Sequence, residues 1–151
     1  MLRAQNEIAR AELQKKYKIL PRCVYQGDLN FSNILIDENN KFKGLIDFNM
    51  AGTEVNINNF LNETAYYLEE QDFVNLSAEE IHNKMERKQR ELLDIILKNY
   101  SLNEEEKNCI TLYKRIMDMS LYPNVMLWIH LIRNDKHSEK VLQLLRLICK
   151  K

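Results

Sequence analysis

Residues 26–48 read QGDLNFSNILIDENNKFKGLIDF. Three polar residues stand out: Asp28, Asn33 five positions later, and Asp47 fourteen positions after that. Between the last two lie a β-prone run, Ile34-Leu35-Ile36, and turn residues, Asp37-Glu38-Asn39-Asn40. A second apolar run follows over 42–46, interrupted by Gly44. This order predicts a hairpin. Asn33 precedes its first strand and Asp47 follows its second, so both belong at one end of it. Taken singly, Asp and Asn at hairpin ends are ordinary turn residues. The joint pattern of Gly-Asp, the five-residue step, the hairpin and the closing Asp-Phe is far more restrictive.

The spacing Asp-x-x-x-x-Asn equals the last six positions of the protein-kinase catalytic loop. Phosphoryl transfer asks a protein mainly for positioning and charge neutralisation. A carboxylate orients the attacking hydroxyl, while an amide oxygen and a second carboxylate suit magnesium, which prefers hard oxygen ligands. The segments GDLNFSNIL (27–35) and GLIDF (44–48) resemble the aminoglycoside phosphotransferase and choline kinase family. The resemblance implies a protein-kinase-like fold, with Asp28 as the catalytic residue and Asn33 and Asp47 as metal ligands. It implies Mg2+ and ATP, or another nucleoside triphosphate, as cofactors. Gln26 stands where the family usually has His. Its amide can still donate, so Gln26 and Gly27 are expected to brace the loop. Leu35 and Ile46 are expected to face the nucleotide. Asn30 and Ser32 replace a frequent His and Gly. Beyond Gly52 the usual Pro and helix-opening Asp are absent, leaving Asn58 or Asn59 to cap the next helix.

The chain has 151 residues, enough for one domain with a core. Charged residues make up 29 % and apolar ones 45 %, in the range of globular proteins. Cys23, Cys109 and Cys149 lie far apart and read as reduced thiols of a cytoplasmic protein. His82, His130 and His137 have no ligand spacing, and His130 reads as a core or boundary residue. The run over 125–131 is too short for a bilayer, and no secretory leader is evident.

The net charge of zero hides an asymmetry: +4 over 1–22, −9 over 23–80 and +5 over 81–151. The acidic block holds the motif. A cationic acceptor could use this charge, but Glu69, Glu70, Asp72, Glu79 and Glu80 read more simply as a solvated face and a helix start.

Elsewhere helices are expected. The first covers 2–17, with Leu2, Ile8, Ala9, Leu13 and Tyr17 as its apolar stripe, and a short strand, 23–25, follows Pro21. Another helix spans 59–70, offering Phe60, Ala65, Tyr67 and Leu68 for packing. Ser77 with Glu80 forms a capping box ahead of a face of Ile81, Met85, Leu92, Leu93, Ile96 and Leu97. Asn103 with Glu106 opens a further helix, Pro123 starts a short one, and Ser138 caps the last. Tyr66, Tyr67, Tyr122 and Trp128 could line an acceptor pocket, though packing is the simpler role.

The expected fold class is therefore mainly α with a small β-hairpin unit (α+β), the C-terminal lobe of a protein-kinase-like fold. No glycine precedes Gly27, and Lys15, Lys16 and Lys18 lie on or just after a helix. A glycine-rich phosphate loop and a strand lysine are thus missing, and the N-terminal nucleotide-binding lobe is expected to be absent from 1–151. The expected activity is transfer of the γ-phosphate to a hydroxyl of a small molecule, with little turnover by these residues alone. A non-catalytic fragment or binding module keeping the motif is the alternative; a protein substrate ranks below both. Expected partners are a small hydroxyl-bearing acceptor, a cationic one among the candidates, the missing lobe, and a second copy through self-association. No nucleic-acid or membrane partner is expected.

Overall fold

The computed structural model describes residues 2–150, with the side chain of Leu2 outside the described set. Seven helices and four short strands are described. They are α1 (Leu2–Lys16), β1 (Arg22–Tyr25), β2 (Ile34–Ile36), β3 (Phe42–Leu45), β4 (Gly52–Val55), α2 (Asn56–Glu63), α3 (Glu70–Asn75), α4 (Ala78–Leu97), α5 (Glu104–Ser120), α6 (Tyr122–Arg133) and α7 (Ser138–Cys149). The α+β expectation holds at this level.

The expected hairpin is present. β2 and β3 pair antiparallel, Ile34 opposite Leu45 and Leu35 opposite Gly44, with an irregularity after Leu35. Asp37 builds the turn: its Oδ1 accepts the N–H groups of Asn39 and Lys41, both at 2.9 Å. Asn40 takes the left-handed conformation that Asn tolerates. The second sheet was not foreseen. β1 pairs antiparallel with β4, from Arg22 opposite Val55 to Tyr25 opposite Gly52. The chain leaving β1 becomes the Asp28 loop, and the chain leaving β4 becomes α2. This pairing therefore brings α2 beside the loop.

Two apolar clusters hold the helices. One joins Val55, Ile57 and Leu61 to Leu20, Cys109, Tyr113 and Met117. The other gathers Phe73, Ile81, Met85, Trp128, Leu131, Val141, Leu144 and Ile148. Ile57 and Leu61 are fully buried, each worth about 1.5–3 kcal/mol relative to exposure.

Several expectations need correction. The helix expected over 59–70 stops at Glu63; 64–69 is not helical, and α3 begins at Glu70. α2 begins at Asn56 behind Val55, which makes no side-chain cap, so neither Asn58 nor Asn59 caps it. Burial of Val55 and Ile57 against α5 sets that start instead of a capping side chain. A capping box between Glu69 and Asp72 opens α3. Ser138 is the first residue of α7, not its cap; His137 holds that place in a left-handed conformation. His130 is exposed beside Asn134, and Tyr122, Ile8 and Leu92 are also exposed. The boxes at Ser77/Glu80 and Asn103/Glu106 form as expected.

The acidic residues after 68 are largely committed to local structure. Glu69 and Asp72 cap α3, Asp72 also bonds Lys84 at 2.6 Å, Glu70 bonds Lys136 at 3.0 Å, and Glu80 caps α4. The helix-start reading of this cluster accounts for them. Asn124 ties the segment between α2 and α3 to α6. Its Oδ1 accepts the Leu68 N–H at 2.8 Å and its Nδ2 donates to the Tyr66 carbonyl at 3.0 Å. Asn124 is fully buried. Asn124→Ala strands both backbone groups, and a loss of about 3 kcal/mol in urea unfolding is expected. A change below about 0.5 kcal/mol would contradict the bridging role.

Candidate functional site

Gln26 is the buried centre of the site. Its Nε2 donates to the carbonyls of Ile46, at 2.9 Å, and Asp47, at 2.7 Å. Its Oε1 accepts the backbone N–H of Asp28 at 2.8 Å. One amide thus joins the loop after β1 to the chain leaving β3. Gly27 follows at φ +91°, and a Cβ there would sit 2.1 Å from the Met50 carbonyl oxygen. Only glycine satisfies both the backbone angle and that approach.

The loop is held internally as well. The Asn30 side chain accepts the Ser32 N–H at 3.0 Å and also pairs closely with the Ser32 hydroxyl. The residues 31–33 form one 3-10 turn. Asn33 is buried, and its Nδ2 donates to the Asp28 carbonyl at 2.8 Å and to Asp28 Oδ2 at 3.0 Å. These two bonds fix the amide so that Oδ1 is its remaining strong acceptor. The Asn33 carbonyl accepts the Ile46 N–H at 3.0 Å. Asp47 follows directly, exposed and at φ +57°. Asp28, Asn33 and Asp47 therefore gather at one end of the hairpin: Asp28 through the amide of Asn33, Asp47 through the Asn33–Ile46 bond. Leu35 and Ile46 are partly exposed, 44 % and 43 %. Among the described residues no cluster of three or more His, Cys, Asp or Glu could hold a metal. An Asn oxygen with one or two separate carboxylates is the donor set the site offers.

Beside Asp28 lies an open cleft of about 390 Å³. Tyr25, Gly27, Asp28 and Asn30 line one wall, and Asn59, Asn62, Glu63 and Tyr67 the other. Burial raises the Glu63 carboxyl above its ordinary value, although the side chain keeps solvent contact. Tyr67 is 56 % exposed and stands at the cleft rather than in the packing first assigned to it. Trp128, in contrast, is buried in the core. The α2 residues of this cleft were missed from sequence. Thr53 and Val55, β-branched and alternating with Gly52 and Glu54, were the available signal for β4.

A family model described as "Phosphotransferase enzyme family" matches residues 2–54. The match spans α1, the Asp28 loop, the hairpin and most of β4, and supports a phosphotransferase relationship for that third of the chain. No curated protein and no solved structure matches the chain. No described helix is long and apolar enough to cross a membrane.

Two substitutions test the bracing. Gly27→Ala should destabilise by about 2 kcal/mol or more, read as a lower urea midpoint, because the methyl meets Met50 backbone at a strained angle. Gln26→Leu should cost about 2–4 kcal/mol, since it leaves the Asp28 N–H and two carbonyls without their partner. It should also shift the backbone amide NMR signals of both Asp28 and Asp47. Shifts confined to one of them would contradict the bridge.

Proposed function

We propose that residues 26–48 form the catalytic half of an ATP-dependent small-molecule phosphotransferase site, in the C-terminal lobe of a protein-kinase-like fold. The observation that carries the reading is the joint placement of Asp28, Asn33 and Asp47, with the Asn33 amide fixed by Asp28. The phosphotransferase family match over the same residues supports it.

In this reading Asp28 orients the acceptor hydroxyl and takes its proton. Asn33 Oδ1 and the Asp47 carboxylate would hold magnesium, which would neutralise charge on the nucleotide phosphates. The site fits that ion because two protein oxygens leave room for phosphate and water ligands. Gln26 and Gly27 keep the loop in register with Asp47. Leu35 and Ile46 offer apolar surface to the nucleotide base. The acceptor would enter the cleft between Asp28 and α2. Asp28 and Glu63 make that cleft attractive to a cationic acceptor, and Tyr25 and Tyr67 add aromatic surface.

No glycine precedes Gly27, and among the described residues no lysine stands on a strand before the site. The grip on the β- and γ-phosphates would come from a further lobe, on another segment or another chain. Without it the γ-phosphate is not aligned with the hydroxyl, and positioning is most of the catalysis. The same lack of a phosphate grip favours, as second reading, a binding module that keeps the loop without turnover. Val24, Phe31, Leu35, Phe42, Ile46 and Phe48 are exposed on the strands and loops that carry the site, apolar surface that the further lobe or a second copy would cover.

The test is ATP consumption with amino sugars, choline and homoserine as acceptors. These 151 residues alone should show no acceptor-dependent turnover. Fusion to a nucleotide-binding lobe should give turnover, and Asp28→Asn in that fusion should lower kcat at least about a hundredfold. Full activity of the Asp28→Asn fusion removes Asp28 from its role. A fusion that binds acceptor but never turns over selects the binding module. Sedimentation of the 151 residues should show self-association; a clean monomer at high concentration contradicts it.

A further inference from the structure

α6 differs from the other described helices. It alone among them carries no acidic residue, and eight of its twelve residues are Val, Leu, Ile, Met, Tyr or Trp. A helix that is apolar on both faces is normally covered on both. Here one face is covered: Asn124, Trp128 and Leu131 are buried. The other is bare. At 100° per residue, Tyr122, Met126, Ile129 and Arg133 fall within about 60° of one another, on the side away from Trp128 and Leu131. All four are exposed, Tyr122 at 72 % and Met126 at 46 %, with exposed Ile132 at the edge of the stripe.

The two ends of the stripe differ in chemistry. Tyr122 offers an open ring at the N-terminal end. Arg133 closes the C-terminal end, and its guanidinium has no ion pair or hydrogen bond among the described residues. Glu70, the acid beside this end of α6, is taken by Lys136 at 3.0 Å and faces His130. An unpaired guanidinium and an open ring complement each other. Within one chain they cannot meet, because eleven positions separate them, about 16 Å along the helix. Between two helices running in opposite directions they do meet. The stripe thus carries the complement of each of its own ends, which favours a second copy over an unrelated partner.

We propose that the exposed face of α6 is the contact surface for a second copy of this chain, packed antiparallel about a twofold axis between Leu127 and Trp128. Met126 then lies against the partner's Ile129, and Tyr122 against the partner's Arg133, with both contacts repeated by symmetry. Antiparallel packing sets each helix N-terminus beside the other's C-terminus, as the helix dipoles favour, and keeps the two Arg133 charges at opposite ends. A parallel pair would bring those charges together. Twelve residues make a face only about 18 Å long. Their pairing buries less than about 1,200 Å², so the dimer is weak and reversible. The proposal does not depend on phosphotransfer at Asp28.

Sedimentation equilibrium of the 151-residue chain, up to about 1 mM, should show monomer–dimer exchange with Kd of roughly 100 μM to 1 mM. Met126→Glu puts a charge at the centre of the stripe and should weaken association at least about tenfold, with the urea midpoint unchanged because the position is exposed. Phe48→Ser, exposed beside Asp47, should leave association unchanged. Tyr122→Ala and Arg133→Ala should each weaken it about fivefold, and the double variant little more than either, since both remove one shared contact. A chain monomeric throughout this range overturns the proposal and leaves α6 to the further lobe. Dimerisation that survives Met126→Glu, or that Phe48→Ser abolishes, places the second copy elsewhere and overturns it too. Effects of Tyr122→Ala and Arg133→Ala that simply multiply overturn the antiparallel pairing.

Discussion

The side chain of Gln26 is bonded at both ends, to the Asp28 N–H on one side and to the Ile46 and Asp47 carbonyls on the other. Everything else at the site depends on that connection. An amide is suited to it because it carries donors and an acceptor on one planar group. Its burial gives the bonds weight, since an unpaired polar group there would carry a full desolvation penalty. Asn33 repeats the device one layer on: its amide grips Asp28 and its carbonyl takes the Ile46 N–H. Two neutral side chains thereby hold the Asp28 carboxylate and the Asp47 backbone in place, with no cation among these bonds. A proposed metal site needs such an arrangement, because a resident lysine or arginine would neutralise the charge meant for the ion.

The scaffold under this loop is small and specific. β1 and β4 contribute only four residues each, yet their pairing decides which helix faces Asp28. α2 follows β4 without a linker, and buried Val55 and Ile57 anchor it against α5. At its start, Asn56 donates to the Tyr100 hydroxyl at 2.6 Å, which in turn donates to the buried Glu106 carboxylate at 2.9 Å. Glu106 also completes the cap of α5. The two helix starts are thus locked through one phenol. The cleft wall of Asn59, Asn62 and Glu63 inherits its position from that lock.

The hairpin was legible in sequence because turn chemistry and short apolar runs carry it locally. The capping boxes at Ser77 and Asn103 were legible for the same reason. What failed depends on distant partners. β4 is four residues long and is made a strand only by β1, about thirty positions away. The break between α2 and α3 has no proline or glycine; it is held open by Asn124, from α6, on the Tyr66 and Leu68 backbone. Ser138 has cap chemistry, but its neighbour His137 occupies the cap position. Gln26 was expected to brace the loop from its place before Gly-Asp. Its second set of partners, across the hairpin, follows only from the fold. The acceptor cleft was legible only in part: Tyr67 was weighed for it, whereas its α2 wall required the β1–β4 pairing.

The central claim is that Asn33 and Asp47 together hold the metal of a nucleotide complex. Manganese, a paramagnetic substitute for magnesium, reports this directly when added with ATP to the 151-residue chain. Selective broadening of the amide NMR signals of Asn33, Ile46 and Asp47 is the expected result, weakened strongly by Asp47→Asn. Broadening centred instead on the acidic hairpin turn at Asp37 and Glu38, or unaffected by Asp47→Asn, would contradict the account.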